Sequence, residues 1–127
     1  MATLDGTPHL PGRYAIESFG AGGFRFGDMS HRGSLLILPS GMWAWPVGEP
    51  AAVDAASLER LFAESGEVDL FIFGSGTNLR PLPAALHARL RGLGMAVESM
   101  ATAHAAHTYN ILLAESRRIA AGLIAVD

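Results

Sequence analysis

The sequence predicts a single α/β domain in which helices cover a sheet of mixed strand direction. Three observations carry this. The chain has 127 residues, 50% hydrophobic and 17% charged, enough to bury one core and too apolar for a disordered chain. From Asp54 onward, short apolar runs alternate with segments of helical period, the pattern of parallel strands joined by right-handed crossovers. The first half holds extended, glycine-punctuated segments instead, which supply antiparallel or mixed strands. No internal repeat, linker or low-complexity run divides the chain. Residues 1–13, punctuated by Pro and Gly, are expected to be a loosely held N-terminal segment, and 14–127 to form the domain.

The elements follow in order. "YAIESFG" alternates enough for a strand, and "AGGFRFGD" reads as its hairpin continuation, with Gly20, Gly22 and Gly23 in the turn. "GSLLILPSG", bounded by Gly33 and Pro39, reads as a strand buried on both faces. "MWAWPV" places Trp43 and Trp45 on the same side of a short extended segment. Asp54 can cap a helix carrying Leu58, Leu61 and Phe62, with Gly66 as its stop. "VDLFIFG" is the second buried strand. Pro83 suits the first position of a helix striped by Leu86, Leu90 and Leu93 and ended by Gly94. "AVESM" is a third, shorter strand. Thr102 then caps "AHAAHTYNILLAE", with Ala103, Ala106, Tyr109, Asn110 and Leu113 on one broad face. In "RRIAAGLIAV", Ser116, Gly122 and two isoleucines favour a final strand over a continued helix. The order is β-β-β-α-β-α-β-α-β.

Composition narrows the function classes. The net charge is −3 and every basic residue other than histidine is an arginine, which argues against a general nucleic-acid binder. With no cysteine, disulfides, a thiol nucleophile and Cys-based zinc sites are excluded. The opening residues, with Asp5, two prolines and no apolar run, do not read as a secretion signal. "GSLLILPSGMWAWPV" is too short and too proline-broken to span a membrane. A cytoplasmic protein is the expectation.

The stretch "FIFGSGTNLRPLP" is where chemistry is most readily imagined. A strand that empties through Gly74-Ser75-Gly76-Thr77 toward a helix start can bring backbone N–H groups up to an anion, and Arg80 can clamp phosphate or carboxylate. It is neither a Walker loop nor the dinucleotide fingerprint, whose further residues are missing. The competing reading is a plain glycine turn with Arg80 in water, which the spacing by itself favours. His104 and His107 at i, i+3 share a helix face but have no evident third ligand, so no metal is expected, and His9, His31 and His87 are isolated. Tyr109 and Asn110 on a buried helix face require hydrogen-bond partners, and Asn110 could tie a neighbouring loop backbone, the glycine turn being one such loop. No GxSxG elbow and no carboxylate pair is evident. Trp43 and Trp45 are core on one sheet face or, if partly exposed, anchors for a protein partner.

From about Phe24 to Val126 the chain resembles a small single-domain family of uncharacterised function that includes the mitochondrial respiratory complex I assembly factor 3. The resemblance rests on "FRFGDMSHRGSLLILPSGMWAW", "FIFGSGT", "LPAALHARLRGLGMAVESM" and "TYNILLAESRRIAAGLI", in that order and spacing. It implies a three-layer fold with a mixed central sheet, a strand as the last element, and recurrent positions at Gly74, Gly76, Thr108-Tyr109-Asn110 and Arg118. The family has no established enzymatic activity to carry over, and no cofactor is expected; the best-understood relatives act by protein contact during assembly of a membrane-bound respiratory complex. Many relatives carry a glycine near Ser116, and the glycine turn here continues as Thr-Asn rather than a charged pair. Arg118, opening the last strand, could join Arg80 around one pocket, or could pair Glu115 or a helix C-terminus. The leading expectation is a non-enzymatic accessory protein that binds another protein, with respiratory-complex assembly components as candidate partners. The alternative is a small-anion binder or undiscovered enzyme using Gly74–Arg80 with Asn110 and Arg118.

Overall fold

The computed structural model describes residues 10–127, and its middle layer is a six-stranded sheet whose strands run both parallel and antiparallel. The elements are β1 Leu10–Pro11, β2 Ser18–Gly20, β3 Gly23–Phe26, β4 Met29–Arg32, β5 Ser34–Leu38, β6 Gly41–Trp45, α1 Glu59–Ala63, β7 Leu70–Gly74, α2 Ala84–Gly92, β8 Ala96–Met100, α3 Thr102–Ala114 and β9 Ile119–Leu123. The central sheet has the order β1-β6-β5-β9-β7-β8, and β2-β3-β4 form a separate three-stranded sheet. The last segment is a strand, and it is the seam of the sheet: β9 runs antiparallel to β5 and parallel to β7.

The core explains this arrangement. Side chains alternate across a strand, so β5 sends Leu36 and Leu38 to one face and Leu35 and Ile37 to the other, and all four are buried. On the first face Leu58 of the turn before α1, Leu61 of α1, and Leu86 and Leu90 of α2 cover the sheet. On the second face α3 contributes Ala105, Ala106 and Tyr109, and the small sheet contributes Phe24 and Phe26. The domain is therefore a single unit of three layers.

Several local expectations change. Residues 1–9 of the N-terminal segment lie outside the described residues. Leu10 and Pro11, expected to be loosely held, pair with Met42 and Gly41 on β6, and Arg13 Nη1 donates to the Ile119 carbonyl at 2.9 Å. Strand β4, Met29–Arg32, was not expected; it arises because Gly27 and Asp28 both adopt positive φ, as a two-residue hairpin turn requires, and return the chain along β3. Asp54 does not cap α1 itself. Its Oδ1 accepts from the Ser57 N–H at 2.8 Å while Ser57 Oγ accepts from the Asp54 N–H at 3.0 Å, closing a 3-10 turn that leads into the helix. On α3, Ala105 and not Ala103 faces the core, Ala103 being exposed.

Helices α2 and α3 end in the same way with different residues. After α2, the Gly94 N–H donates to the Arg91 carbonyl and the Met95 N–H to the Leu90 carbonyl, with Gly94 at φ +93°. After α3, the Ser116 N–H donates to Leu113 and the Arg117 N–H to Leu112, with Ser116 at φ +58°. A side chain in the left-handed region is strained and glycine is not. Ser116→Gly is therefore expected to raise stability by about 1 kcal/mol, read as a higher urea midpoint at unchanged slope. An unchanged or lower midpoint would count against the strain.

Candidate functional site

The residues singled out around the glycine turn are tightly tied, and tied to one another. Gly74 ends β7 where a Cβ would come within 2.9 Å of Leu123 and 3.1 Å of Ala105, so the missing side chain admits α3 and β9. The buried Ser75 hydroxyl accepts from the Arg80 N–H at 2.8 Å and lies 2.7 Å from the Asn78 carbonyl and 3.0 Å from that of Met100. The Gly76 N–H donates to Thr102 Oγ1 at 2.9 Å, and that hydroxyl donates to the Ile124 carbonyl at 2.7 Å. Thr102 is fully buried and lies inside the first turn of α3 rather than ahead of it, so its side chain joins β7, α3 and the end of β9 instead of capping the helix.

This leaves little for an anion. The N–H groups of Ser75, Gly76 and Arg80 donate to protein oxygens, and α2 starts only at Ala84, eight positions past Gly76. Thr77 and Arg80 are exposed, and Arg80 Nη1 donates to its neighbour's carbonyl, that of Leu79, at 3.1 Å.

Asn110 and Arg118 lie elsewhere. The Asn110 amide binds the backbone of Ile16 twice, Oδ1 accepting from its N–H at 2.8 Å and Nδ2 donating to its carbonyl at 2.9 Å. It ties a loop backbone, as its burial on α3 requires, but that loop is the segment before β2 and not the glycine turn. Tyr109 beside it donates to the Tyr14 carbonyl at 2.9 Å, and burial raises its phenol pKa. Arg118 precedes β9 at the other end of the sheet from Gly74, since Ile119 pairs with Leu70 and Leu123 with Gly74. Four strand residues, about 13 Å, separate those ends. Arg118 binds Asp69 at 3.2 Å and the Gly66 carbonyl at 2.6 Å in an exposed cluster, so it does not converge with Arg80. Trp43 and Trp45 are core residues, 8% and 4% exposed. Their indole N–H groups donate to Ser40 Oγ and the Ser57 carbonyl, and the Arg60 guanidinium stacks 3.7 Å from the Trp43 ring. Neither tryptophan stands out as a surface anchor.

A further concavity lies elsewhere again. An open cleft of about 1050 Å³ lies between the small sheet and the end of β6. The β2–β3–β4 pairing sets Ser18 opposite Arg25 and Arg25 opposite Ser30, with Gly20, Gly23 and Arg32 in the next row of the same face. Arg25 Nη1 donates to Ser30 Oγ at 2.8 Å. Phe19, 40% exposed, and Ala44 and Pro46 add apolar wall. Sequence reasoning missed this face, because Arg25 and Arg32 are brought together by two hairpins whose second strand carries no alternating apolar signal. The one usable signal was the pair of dipeptides, Ala21-Gly22 and Gly27-Asp28, that form the turns.

His31 also lines the cleft but from within, 3% exposed, its Nε2 at 2.9 Å from the Ser34 carbonyl. Burial lowers its pKa from the ordinary 6.5, opposed by that hydrogen bond. The unfolded chain then binds the proton first, so this residue's contribution is present above pH 6.5 and is lost as pH falls below it. Denaturation midpoints are expected to drop from pH 7 to pH 5 more steeply in the wild type than in His31→Gln. Parallel profiles would show that another group sets the slope.

The family of proteins of unknown function designated DUF498/DUF598 has a model that matches residues 16–124 of this chain. The chain belongs to that family. An uncharacterised protein of Rhodobacter capsulatus is 38% identical over 117 residues, covering 92% of this chain and 89% of that protein. The NADH dehydrogenase (ubiquinone) 1 alpha subcomplex assembly factor 3 of Danio rerio is 29% identical over 109 residues, covering 86% of this chain. The chain spans only 63% of that assembly factor's length. A crystal structure from Bartonella henselae, described as an outer membrane protein, superposes with a TM-score of 0.90 at 39% identity, covering 94% of this chain and all of that one. The resemblance read from the sequence therefore holds, and so does the α/β fold it implied. No helix among the described residues is long and apolar enough to cross a membrane.

Proposed function

We propose that this protein is a non-enzymatic accessory domain that works by binding another protein, in a role linked to assembly of respiratory complex I. The observation that supports the reading is the likeness to assembly factor 3, which runs through nearly the whole α/β core rather than through one motif. Of the side chains that first suggested a small-molecule site, Ser75, Asn110 and Arg118 bind backbone groups of this chain. An anion site at Gly74–Arg80 is therefore not part of the proposal. The protein is further proposed to reside in the cytoplasm, where assembly components on the inner face of a membrane are accessible.

The test is affinity purification of the tagged protein from its native cells after mild cross-linking, with an unrelated α/β domain as control. The reading expects respiratory-complex subunits or assembly proteins enriched over the control. Enrichment of none of them would overturn it, and fractionation of the protein with the outer membrane would overturn the compartment.

A further inference from the structure

We propose that the cleft between the small sheet and β6 binds an organic anion with an aliphatic body, its head held by Arg25 and Arg32. This goes beyond the partner-binding reading and does not depend on it. Strand register places the two arginines on one face. Arg25 pairs with Ser30, and Arg32 lies two positions further along the same strand, opposite Gly23. Diagonal neighbours of this kind stand about 7–8 Å apart on one face of an antiparallel pair, close enough for two long side chains to meet one carboxylate or phosphate. Gly20 carries no side chain and nothing lies within 4 Å of where its Cβ would stand, which leaves that end of the row open.

Charge supports the same assignment. The chain is acidic overall, with a net charge of −3. Yet the cleft is lined by two arginines and by no aspartate or glutamate. The ion pairs among the described residues are Arg117–Glu115 and Arg118–Asp69, so neither cleft arginine is neutralised by a described carboxylate. Guanidinium groups offer paired donors that fit carboxylate or phosphate oxygens two at a time. The Ser18 and Ser30 hydroxyls flank Arg25 on the same row and supply further donors.

The body of the ligand is set by the remaining wall. Phe19, Ala44 and Pro46 line it with apolar surface, Phe19 from the row of Phe24 and His31 rather than from the arginine row. The volume of about 1050 Å³ is at the upper end of small-molecule sites, room for a chain of many carbons beyond the head. His31 does not contact the head in this scheme; its Nε2 faces the Ser34 carbonyl.

Decanoate is the probe, titrated into the ¹⁵N-labelled protein and followed by amide shifts, with decanol and vesicles containing phosphatidylglycerol as parallel arms. The proposal expects saturable shifts confined to β2, β3, β4 and the end of β6. It expects binding weakened about tenfold or more in Arg25→Gln/Arg32→Gln and for decanol against the wild type. Those two substitutions lie on exposed positions, and a dispersed spectrum of the double variant confirms that it folds. Arginine-dependent binding to the vesicles with none to decanoate would support the site with a membrane lipid as its source. Decanoate shifts that the double variant retains, equal binding of decanol, or no saturable binding in any arm would overturn the proposal. Because the readout needs no protein partner, its failure leaves the accessory-protein reading untouched, and the reverse also holds.

Discussion

Gly122→Val is expected to be the most damaging single substitution in the sheet. Gly122 sits in β9 between Leu36 of β5 and Phe73 of β7, at the seam where strand direction changes. A Cβ there would lie 2.7 Å from the Trp45 ring and 3.0 Å from the Phe71 ring. Trp45 cannot retreat easily, because its indole N–H is held by the Ser57 carbonyl at 2.8 Å and its ring packs edge-on against Phe73. Overpacking of a rigid core typically costs about 1–3 kcal/mol and occasionally more, and two aromatic rings with fixed neighbours put this site at the upper end. A loss of about 3 kcal/mol is a large part of the roughly 5–15 kcal/mol by which a domain is stable. The measurement is urea unfolding followed by tryptophan fluorescence, with Gly122→Ala and Gly122→Ala/Trp45→Leu as a cycle. Relief of the Ala variant by the shortened residue at 45 is the expected signature. Full stability of Gly122→Val would mean that the ring does not sit over the glycine.

Thr102→Val is expected to cost about 2–6 kcal/mol, because it leaves two buried backbone groups without partners at roughly 1–3 kcal/mol each. The N–H of Gly76 loses its acceptor and the carbonyl of Ile124 loses its donor, while volume is nearly unchanged. Thr102→Ser keeps the hydroxyl and should lose much less. Hydrogen exchange at the Gly76 amide separates the two: faster in the Val variant, close to wild type in the Ser variant. Equal stability of the Val and Ser variants would show that packing, and not the hydroxyl, holds this junction together.

Both predictions concern residues whose type was legible in the sequence and whose partner was not. Gly74 reads as a place where something approaches the backbone closely, and that is correct in kind. The approaching group is α3, through Ala105 and the Thr102 backbone, rather than a ligand. Thr102 reads as a cap because a hydroxyl at a helix start usually accepts from its own first turn. Here a free N–H from Gly76 and a carbonyl from Ile124 reach it first, and neither is near it in sequence. Asn110 announces, by lying on a packed helix, that it must bind something; only the fold supplies Ile16. Arg118 directly precedes the last strand, but parallel pairing of β9 with β7 puts that start at the end remote from the glycine turn.

What the sequence determined by itself is the alternation of helices and strands after Asp54, the two-sided burial of β5 and β7, and the family, because each depends on local periodicity or on ordered motifs. It also determined that the final segment is a strand, through its glycine and isoleucines and through the resemblance. Tertiary structure decided everything that depends on register between strands distant in the chain. It separated β2–β4 into a second sheet, set Arg25 and Arg32 on one face of it, and opened a cleft where the sequence shows only an isolated histidine and two scattered arginines. The physical reason is that strand pairing exchanges backbone hydrogen bonds that every sequence can make. Which side chains meet across it is fixed only when turns and core contacts choose the register.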